Sequence, residues 1–133
     1  MKSTTYLKIV GDFDPDLVTQ ALGILPDKTI KKGTIRPNSA GRKYEFSAWH
    51  GGLVERVDEE DIGKQMLETI KVFAGKIQDL QTIKGNLGVK IFLVIVPEFS
   101  ALNDSPIISP PREVIEFCYL SGADLDYDYY FYI

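Results

Sequence analysis

Apolar residues recur along the chain with two different spacings, which predict alternating strands and helices. Tyr6 to Val10 is a largely apolar run typical of a strand, and Leu17 to Leu22 repeats at helical spacing. Between them, Asp14 is suited to cap a helix, because its carboxylate can accept from free amides of the first turn. Pro15 falls at the first helical position, where a missing N–H costs nothing. We therefore expect a strand, a tight junction and a short helix that ends at Gly23.

The remaining pattern predicts four further strands and two further helices. The long second helix is expected to start after Asp58 as its cap and to break or kink at Gly75. The run from Val89 to Val96 is apolar except for one lysine, so both faces of that strand should be covered. The other expected elements are strands at Thr29 to Gly33, Lys43 to Trp49 and Ala123 to Ile133, and a helix from Ser109-Pro110 to Gly122.

This order, β-α-β-β-α-β-α-β, predicts an α+β fold. The first six elements match a ferredoxin-like arrangement, with helices on one face of a mostly antiparallel sheet. The added C-terminal helix and strand would form a right-handed crossover that places the last strand beside the fourth. We therefore expect the strand order 5-4-1-3-2 in a single domain that covers residues 1–133.

Composition is typical of a folded, water-soluble chain. With 133 residues, 44% of them hydrophobic and 26% charged, the protein can bury a core within one domain. The single cysteine, Cys118, forms no internal disulfide and favours a reducing, cytoplasmic location. Met1 to Thr5 has no export signal, and the apolar run from Ile91 to Val96 is too short to span a bilayer, so we expect no membrane association.

Charge is distributed unevenly. The segment from Lys28 to Lys43 carries six basic residues and no acid, whereas the chain from Glu98 onward is acidic, with Arg112 as its single base. The basic segment fits either a solvated hairpin loop or a phosphate-binding loop. The net charge of −4 argues against a role in binding nucleic acid.

Residues with catalytic or metal-binding chemistry are sparse. His50 is the only histidine, which excludes a zinc site built on several imidazoles. Cys118 lies on an apolar helical face and is expected to be a core residue. The acids at 12, 14 and 16 resemble the start of a calcium loop, but Leu17 and Gly23 occupy the positions that need glycine and glutamate. We predict no catalytic residue, metal or cofactor, which favours a protein that is not an enzyme.

One face of the predicted sheet is rich in aromatic residues. If Leu7, Ile9, Phe46, Ile91, Leu93, Tyr129 and Phe131 point toward the helices, the other face carries Tyr6, Lys8, Val10, Ser47, Trp49, Phe92, Val94, Tyr130 and Tyr132. A large apolar surface exposed to water invites association, so we expect something to cover it. A second copy of the chain, another protein, a small ligand, single-stranded RNA and the chain's own loop from Glu98 to Pro106 are all candidates.

These candidates define three hypotheses for function. The first is a non-enzymatic binding or protein-interaction module, expected to be a homodimer, of which a toxin-neutralising immunity protein is one version. The second is a small-molecule-binding domain or enzyme with a pocket lined by Trp49, His50, Arg42 and Asp12. The third is an RNA-binding sheet, which the acidic balance disfavours. The predicted binding residues are Tyr6, Trp49, His50, Phe92, Tyr130 and Tyr132.

The chain also resembles an uncharacterised bacterial family known as domain of unknown function 4279. The resemblance depends on the segment from Tyr6 to Pro15, on Leu22-Gly23-Ile24 with Pro26, on Lys32-Gly33, on Trp49 and on Gly122-Ala123-Asp124-Leu125. It implies a small α+β domain without a known activity and transfers no catalytic residue. His50-Gly51-Gly52 departs from the hydroxyl-rich stretch that the family leads us to expect.

Overall fold

The structure is a computed structural model that describes residues 1–99 and 106–132. Within these ranges it contains four helices and a six-stranded sheet, so the α+β class is confirmed. The elements are β1 Lys2–Gly11, α1 Pro15–Leu22, β2 Lys28–Ile30, β3 Ser47–Val57, α2 Ile62–Lys71, α3 Ile77–Leu87, β4 Lys90–Phe99, α4 Arg112–Ser121, β5 Ala123–Tyr127 and β6 Tyr130–Phe131.

The sheet has the order β2-β3-β1-β4-β5, which agrees with the predicted order of five strands. β1 pairs antiparallel with both β3 and β4, while β5 and β6 run parallel to successive parts of β4. The sheet is therefore mixed and differs from the antiparallel ferredoxin-like sheet that the element order predicted. The difference arises because the chain crosses back through α4, so that β5 runs in the same direction as β4. β6 then pairs, again in parallel, with the last part of β4.

The junction between β1 and α1 follows the prediction. Asp14 accepts a hydrogen bond of 3.0 Å from the backbone amide of Asp16, and Pro15 is the first helical residue. Gly23 ends the helix in the left-handed conformation, with a φ of 66°. The acidic motif therefore has a structural task in capping α1.

The segment after β3 forms two helices, α2 and α3, as predicted from Gly75. Gly75 has a φ of 77° between α2 and α3. The prediction that Asp58 caps this helix is wrong. Asp61 caps α2 instead, by accepting a hydrogen bond of 3.0 Å from the amide of Gly63. Because β3 continues to Val57, the chain must turn before a helix can start, and Asp58 instead contacts the amino group of Met1 at 2.9 Å.

Side chains from one face of the sheet and from all four helices form the core. Trp49 is fully buried there, because it pairs with Ile9 and so points to the same side of the sheet. The expectation that Trp49 and Ser47 lie on the face away from the helices is therefore wrong. Phe46 was expected to face the helices, but it precedes β3 and is 60% exposed. The predicted alternation of faces from Lys43 to Trp49 fails because β3 begins only at Ser47.

Three further expectations concern the C-terminal half. Glu98 and Phe99 belong to β4 instead of a loop, and residues 100–105 lie outside the described part of the chain, so the proposed covering loop is not described. Cys118 is buried in the core as predicted. No helix within residues 1–99 and 106–132 is long and apolar enough to cross a membrane.

Candidate functional site

The sheet face opposite the helices, called the open face below, is the candidate site. The strand register places its residues: Lys8 pairs with His50 on one side and with Phe92 on the other. Within the described residues, all four helices pack on the other face. By this register the open face carries Lys2, Thr4, Tyr6, Lys8, Val10, Lys28, Ile30, Ala48, His50, Glu55, Lys90, Phe92, Val94, Val96, Glu98, Asp124 and Asp126.

Residues 31–46 form a hairpin arm beside this face. The amide of Gly33 donates to the carbonyl of Tyr44 and the amide of Tyr44 donates to that of Thr34, both at 2.9 Å. Nearer the tip, the amide of Arg36 donates to the carbonyl of Arg42 at 2.7 Å. The basic segment is thus a hairpin, a shape that both its interpretations, as a solvated loop and as a phosphate-binding loop, allow. The guanidinium of Arg36 lies 5.6 Å from the centre of the Tyr44 ring, a cation–π contact that holds its charge in place.

A groove of about 570 Å³ lies between the hairpin arm and the open face. We call it the basic groove, because four of its lining residues are cationic: Lys8, Arg36, Arg42 and Lys43. In residues 1–99 and 106–132, none of these four forms an ion pair. Glu45 is an acid in the lining of this groove. Four cations against one acid leave an excess of positive charge, and a concave surface with such an excess attracts anions.

His50 lies on the wall of the basic groove as a neutral ring. It stacks on Tyr6 with ring centres 4.7 Å apart. Burial, together with the charges of Lys8 and Lys28, lowers the pKa of His50 to about 4. Its Nε2 atom is buried without a hydrogen-bond partner among the described residues. At neutral pH the ring is therefore uncharged, and one of its nitrogen atoms is enclosed by the protein without a hydrogen bond.

The opposite edge of the open face is acidic. Asp124 and Asp126 lie on β5, and Asp128 follows that strand. Tyr6 and Asp126 lie in one cross-strand row, on either side of Val94. Burial, followed by the charges of Asp126 and Asp128, raises the pKa of Tyr6. The hydroxyl of Tyr130 donates to Oδ2 of Asp128 at 3.1 Å, and this bond raises the pKa of Tyr130. We call Asp124, Asp126, Asp128 and Glu98 the acidic edge.

Comparison with known proteins identifies the chain's relatives at the level of the family. A family model described as domain of unknown function, DUF4279, matches residues 1–132. The chain belongs to the DUF4279 family. The resemblance found in the sequence is thereby confirmed. No curated protein and no solved structure gives a significant match.

The fold of this DUF4279 protein brings together most of the predicted binding residues. Tyr6, His50 and Phe92 share the centre of the open face, and Tyr130 and Tyr132 lie at its acidic edge, where the Tyr132 hydroxyl donates to Glu98 at 3.1 Å. Trp49 does not join them.

The pocket predicted as the alternative site is only partly assembled. His50 and Arg42 both line the basic groove, as expected. Asp12 instead forms an ion pair of 2.8 Å with Lys32. Lys8 and Arg36 were not singled out as site residues, although the acid-free segment from Lys28 to Lys43 signalled a local excess of positive charge.

The cysteine of this DUF4279 protein, Cys118, lies in the core. Burial raises the pKa of the Cys118 thiol to about 11, so it stays protonated at neutral pH, as suits a core residue. Within residues 1–99 and 106–132, no group of three histidine, cysteine, aspartate or glutamate side chains is placed to hold a metal ion.

Proposed function

We propose that this protein is a non-enzymatic binding module that receives an acidic protein segment on its open face. The observation that carries the proposal is the basic groove, where Lys8, Arg36, Arg42 and Lys43 face one concavity without an ion pair among the described residues. Carboxylates of a partner would satisfy these cations, and arginine binds carboxylates with paired hydrogen bonds.

The surface that surrounds the groove favours a protein partner. Tyr6, Phe92 and Val96 are half-buried and continue from the groove across the middle strands. Tyrosine, phenylalanine and arginine are enriched in the cores of protein interfaces, where they combine apolar area with directed polar contacts. The open face offers this combination in one continuous surface.

A small anionic molecule is the second candidate. The groove volume of about 570 Å³ lies within the range of ligand pockets, which is about 300–1,000 Å³. The uncharged His50 ring lines the same groove beside the cations. Single-stranded RNA is less favoured, because its phosphates would meet the acidic edge on the same face.

Binding of a hexa-aspartate peptide tests the proposal. The chain is labelled, kept at nanomolar concentration and titrated with the peptide while fluorescence anisotropy is recorded. We expect saturable binding that weakens as salt increases, because the attraction is between exposed charges. The double variant Arg36→Gln/Arg42→Gln should reduce the affinity about tenfold or more, since it removes two cations from the groove.

The matched control removes the same amount of charge elsewhere. Lys64 and Lys71 are exposed on α2, on the helical side of the sheet, so Lys64→Gln/Lys71→Gln should leave the affinity unchanged. Equal losses in both double variants would show that only net charge matters and would contradict the proposal. Binding of citrate without binding of the peptide would support the second candidate instead.

A further inference from the structure

We infer that the acidic segment received by the basic groove carries one aromatic side chain between its carboxylates, and that this side chain binds beside Phe46. The inference rests on the proposed function, because it names the chemistry of the segment that the same groove receives. It is carried by a separate observation: the groove has an apolar floor and an exposed aromatic ring, which carboxylates alone would leave without a partner.

The floor of the groove is an apolar row that crosses three strands. Ala48 of β3 pairs with Val10 of β1 on one side and with Ile30 of β2 on the other, so the three side chains point to the open face together. All three line the groove. Val10 and Ile30 are only partly buried, so the floor keeps apolar surface that another apolar group can cover.

Phe46 adds an aromatic ring to this lining. It lies where the hairpin arm meets β3, and its side chain is 60% exposed. Among the described residues it takes part in none of the contacts between aromatic rings. Tyr44, two residues earlier, is half-buried and lines the same groove. A ring of the partner would gain area and a favourable stacked or edge-on contact here.

Cations lie on both sides of this apolar lining. Lys8 is on β1, two residues from Val10 and on the same face, whereas Arg36 and Arg42 belong to the hairpin arm. A segment with acids before and after its aromatic residue can therefore pair carboxylates with both sides of the groove at once. A small aromatic acid has a single carboxylate and can pair with one side only.

Glu45 favours an uncharged residue at the middle of the segment. It lies between Tyr44 and Phe46 in the sequence, and all three line the groove. A carboxylate placed against this part of the arm would be repelled by Glu45, because like charges at an interface oppose binding. An aromatic ring avoids the repulsion and covers the apolar surface that is present there.

Two heptapeptides of equal charge test the inference by isothermal titration calorimetry on the full chain. One carries phenylalanine and the other alanine between two runs of three aspartates. We expect the phenylalanine peptide to bind about tenfold more tightly or more, because burial of its ring removes apolar surface from water. Its heat-capacity change should also be more negative, as apolar burial requires. Equal affinities of the two peptides would overturn the inference.

The variant Phe46→Ala locates the bound ring. It should weaken binding of the phenylalanine peptide about fivefold or more and leave the affinity for the alanine peptide within about twofold. The matched control, Tyr119→Ala, removes an aromatic side chain that is 84% exposed on α4, on the helical side of the sheet, and should bind both peptides as the wild type does. Circular dichroism confirms that both variants are folded. A Phe46→Ala protein that keeps the full preference for phenylalanine would contradict the inference.

Further titrations separate this inference from the proposed function. If hexa-aspartate binds and the phenylalanine peptide gains nothing over the alanine peptide, the inference is wrong and the proposed function stands. If none of the acidic peptides binds, both are wrong. 3-Phenylpropionate supplies the ring with one carboxylate, and we expect it to bind at least about tenfold more weakly than the phenylalanine peptide. An equal affinity would show that the flanking acids add nothing and would also overturn the inference.

Discussion

The indole Nε1 of Trp49 donates a hydrogen bond of 3.0 Å to Oγ1 of Thr19, which ties β3 to α1 inside the core. Trp49 is fully buried and meets Phe73 edge-on, with ring centres 6.1 Å apart. The tryptophan therefore has a structural task, and its polar atom is satisfied within the fold.

Replacement of Thr19 should show how much this hydrogen bond contributes to the stability of the fold. Thr19→Val keeps the shape of the side chain but leaves a buried indole N–H without an acceptor, which costs about 1–3 kcal/mol of unfolding free energy. Urea denaturation monitored by tryptophan fluorescence measures the loss. Thr19→Ser keeps the hydroxyl and serves as the control, with a smaller loss. Equal stabilities of Thr19→Val and the wild type would show that the bond contributes nothing.

The position of Trp49 shows where sequence patterns stop being informative. Local signals such as Asp14-Pro15 and Gly23 were confirmed because their effect depends on neighbouring residues only. The alternation from Lys43 to Trp49 predicts one continuous strand, but the hairpin arm ends at Phe46 and β3 starts at Ser47. Which face a strand residue occupies depends on its pairing across the sheet, and a shift of one residue reverses every assignment.

The basic groove could be predicted only in part. The excess of lysine and arginine between Lys28 and Lys43 is visible in the sequence, and Arg42 and His50 were named as neighbours. That Lys8 shares the groove follows from the pairing of β1 with β3 and from the position of the hairpin arm. Both are long-range relationships, which a single sequence does not encode in its periodicity.

A buried polar network beside the core leads to a second prediction. Gln65 accepts from the hydroxyl of Ser3 at 2.6 Å and donates from Nε2 to the carbonyls of Ser3 and Val54 at 3.0 and 2.8 Å. Gln65→Leu removes all three bonds and should cost about 2 kcal/mol in urea denaturation. The exposed Gln78→Leu on α3 is the control and should change stability by less than about 0.5 kcal/mol. A Gln65→Leu protein as stable as this control would contradict the role of the network.

Two glycines should respond to alanine in opposite directions. A Cβ at Gly51 would lie 2.6 Å from Cζ3 of Trp49, whose ring is enclosed by the core, so Gly51→Ala should destabilise the fold by about 1–3 kcal/mol or more. Gly85 lies inside α3 with no atom within 4 Å of its added Cβ. Gly85→Ala should therefore raise stability by up to about 1 kcal/mol. Thermal unfolding of both variants tests the pair, and a stabilising Gly51→Ala would show that Trp49 can shift.

The low pKa of His50 predicts a specific loss of stability in acid. Its pKa is about 4 in the folded protein, because burial and the nearby charges of Lys8 and Lys28 disfavour the protonated ring, whereas Asp27 acts in the opposite direction. The unfolded chain has an ordinary histidine pKa of about 6.5. Between these values the unfolded state binds more protons, so this contribution to stability is present above about pH 6.5 and is lost as the pH falls toward 4.

The variant His50→Phe isolates this effect, since it keeps an aromatic ring to stack on Tyr6 but cannot be protonated. Urea denaturation of both proteins at several pH values between 4 and 7 measures the difference. Because the ring is only half-buried, solvent screening reduces the effect, and we expect the wild type to lose on the order of 1 kcal/mol more than the variant over this window. Carboxylates that titrate in the same window contribute equally to both proteins and cancel in the comparison. If the two proteins lose stability in parallel, the fold does not lower the pKa of His50. The ring would then carry a positive charge in the groove as the pH falls.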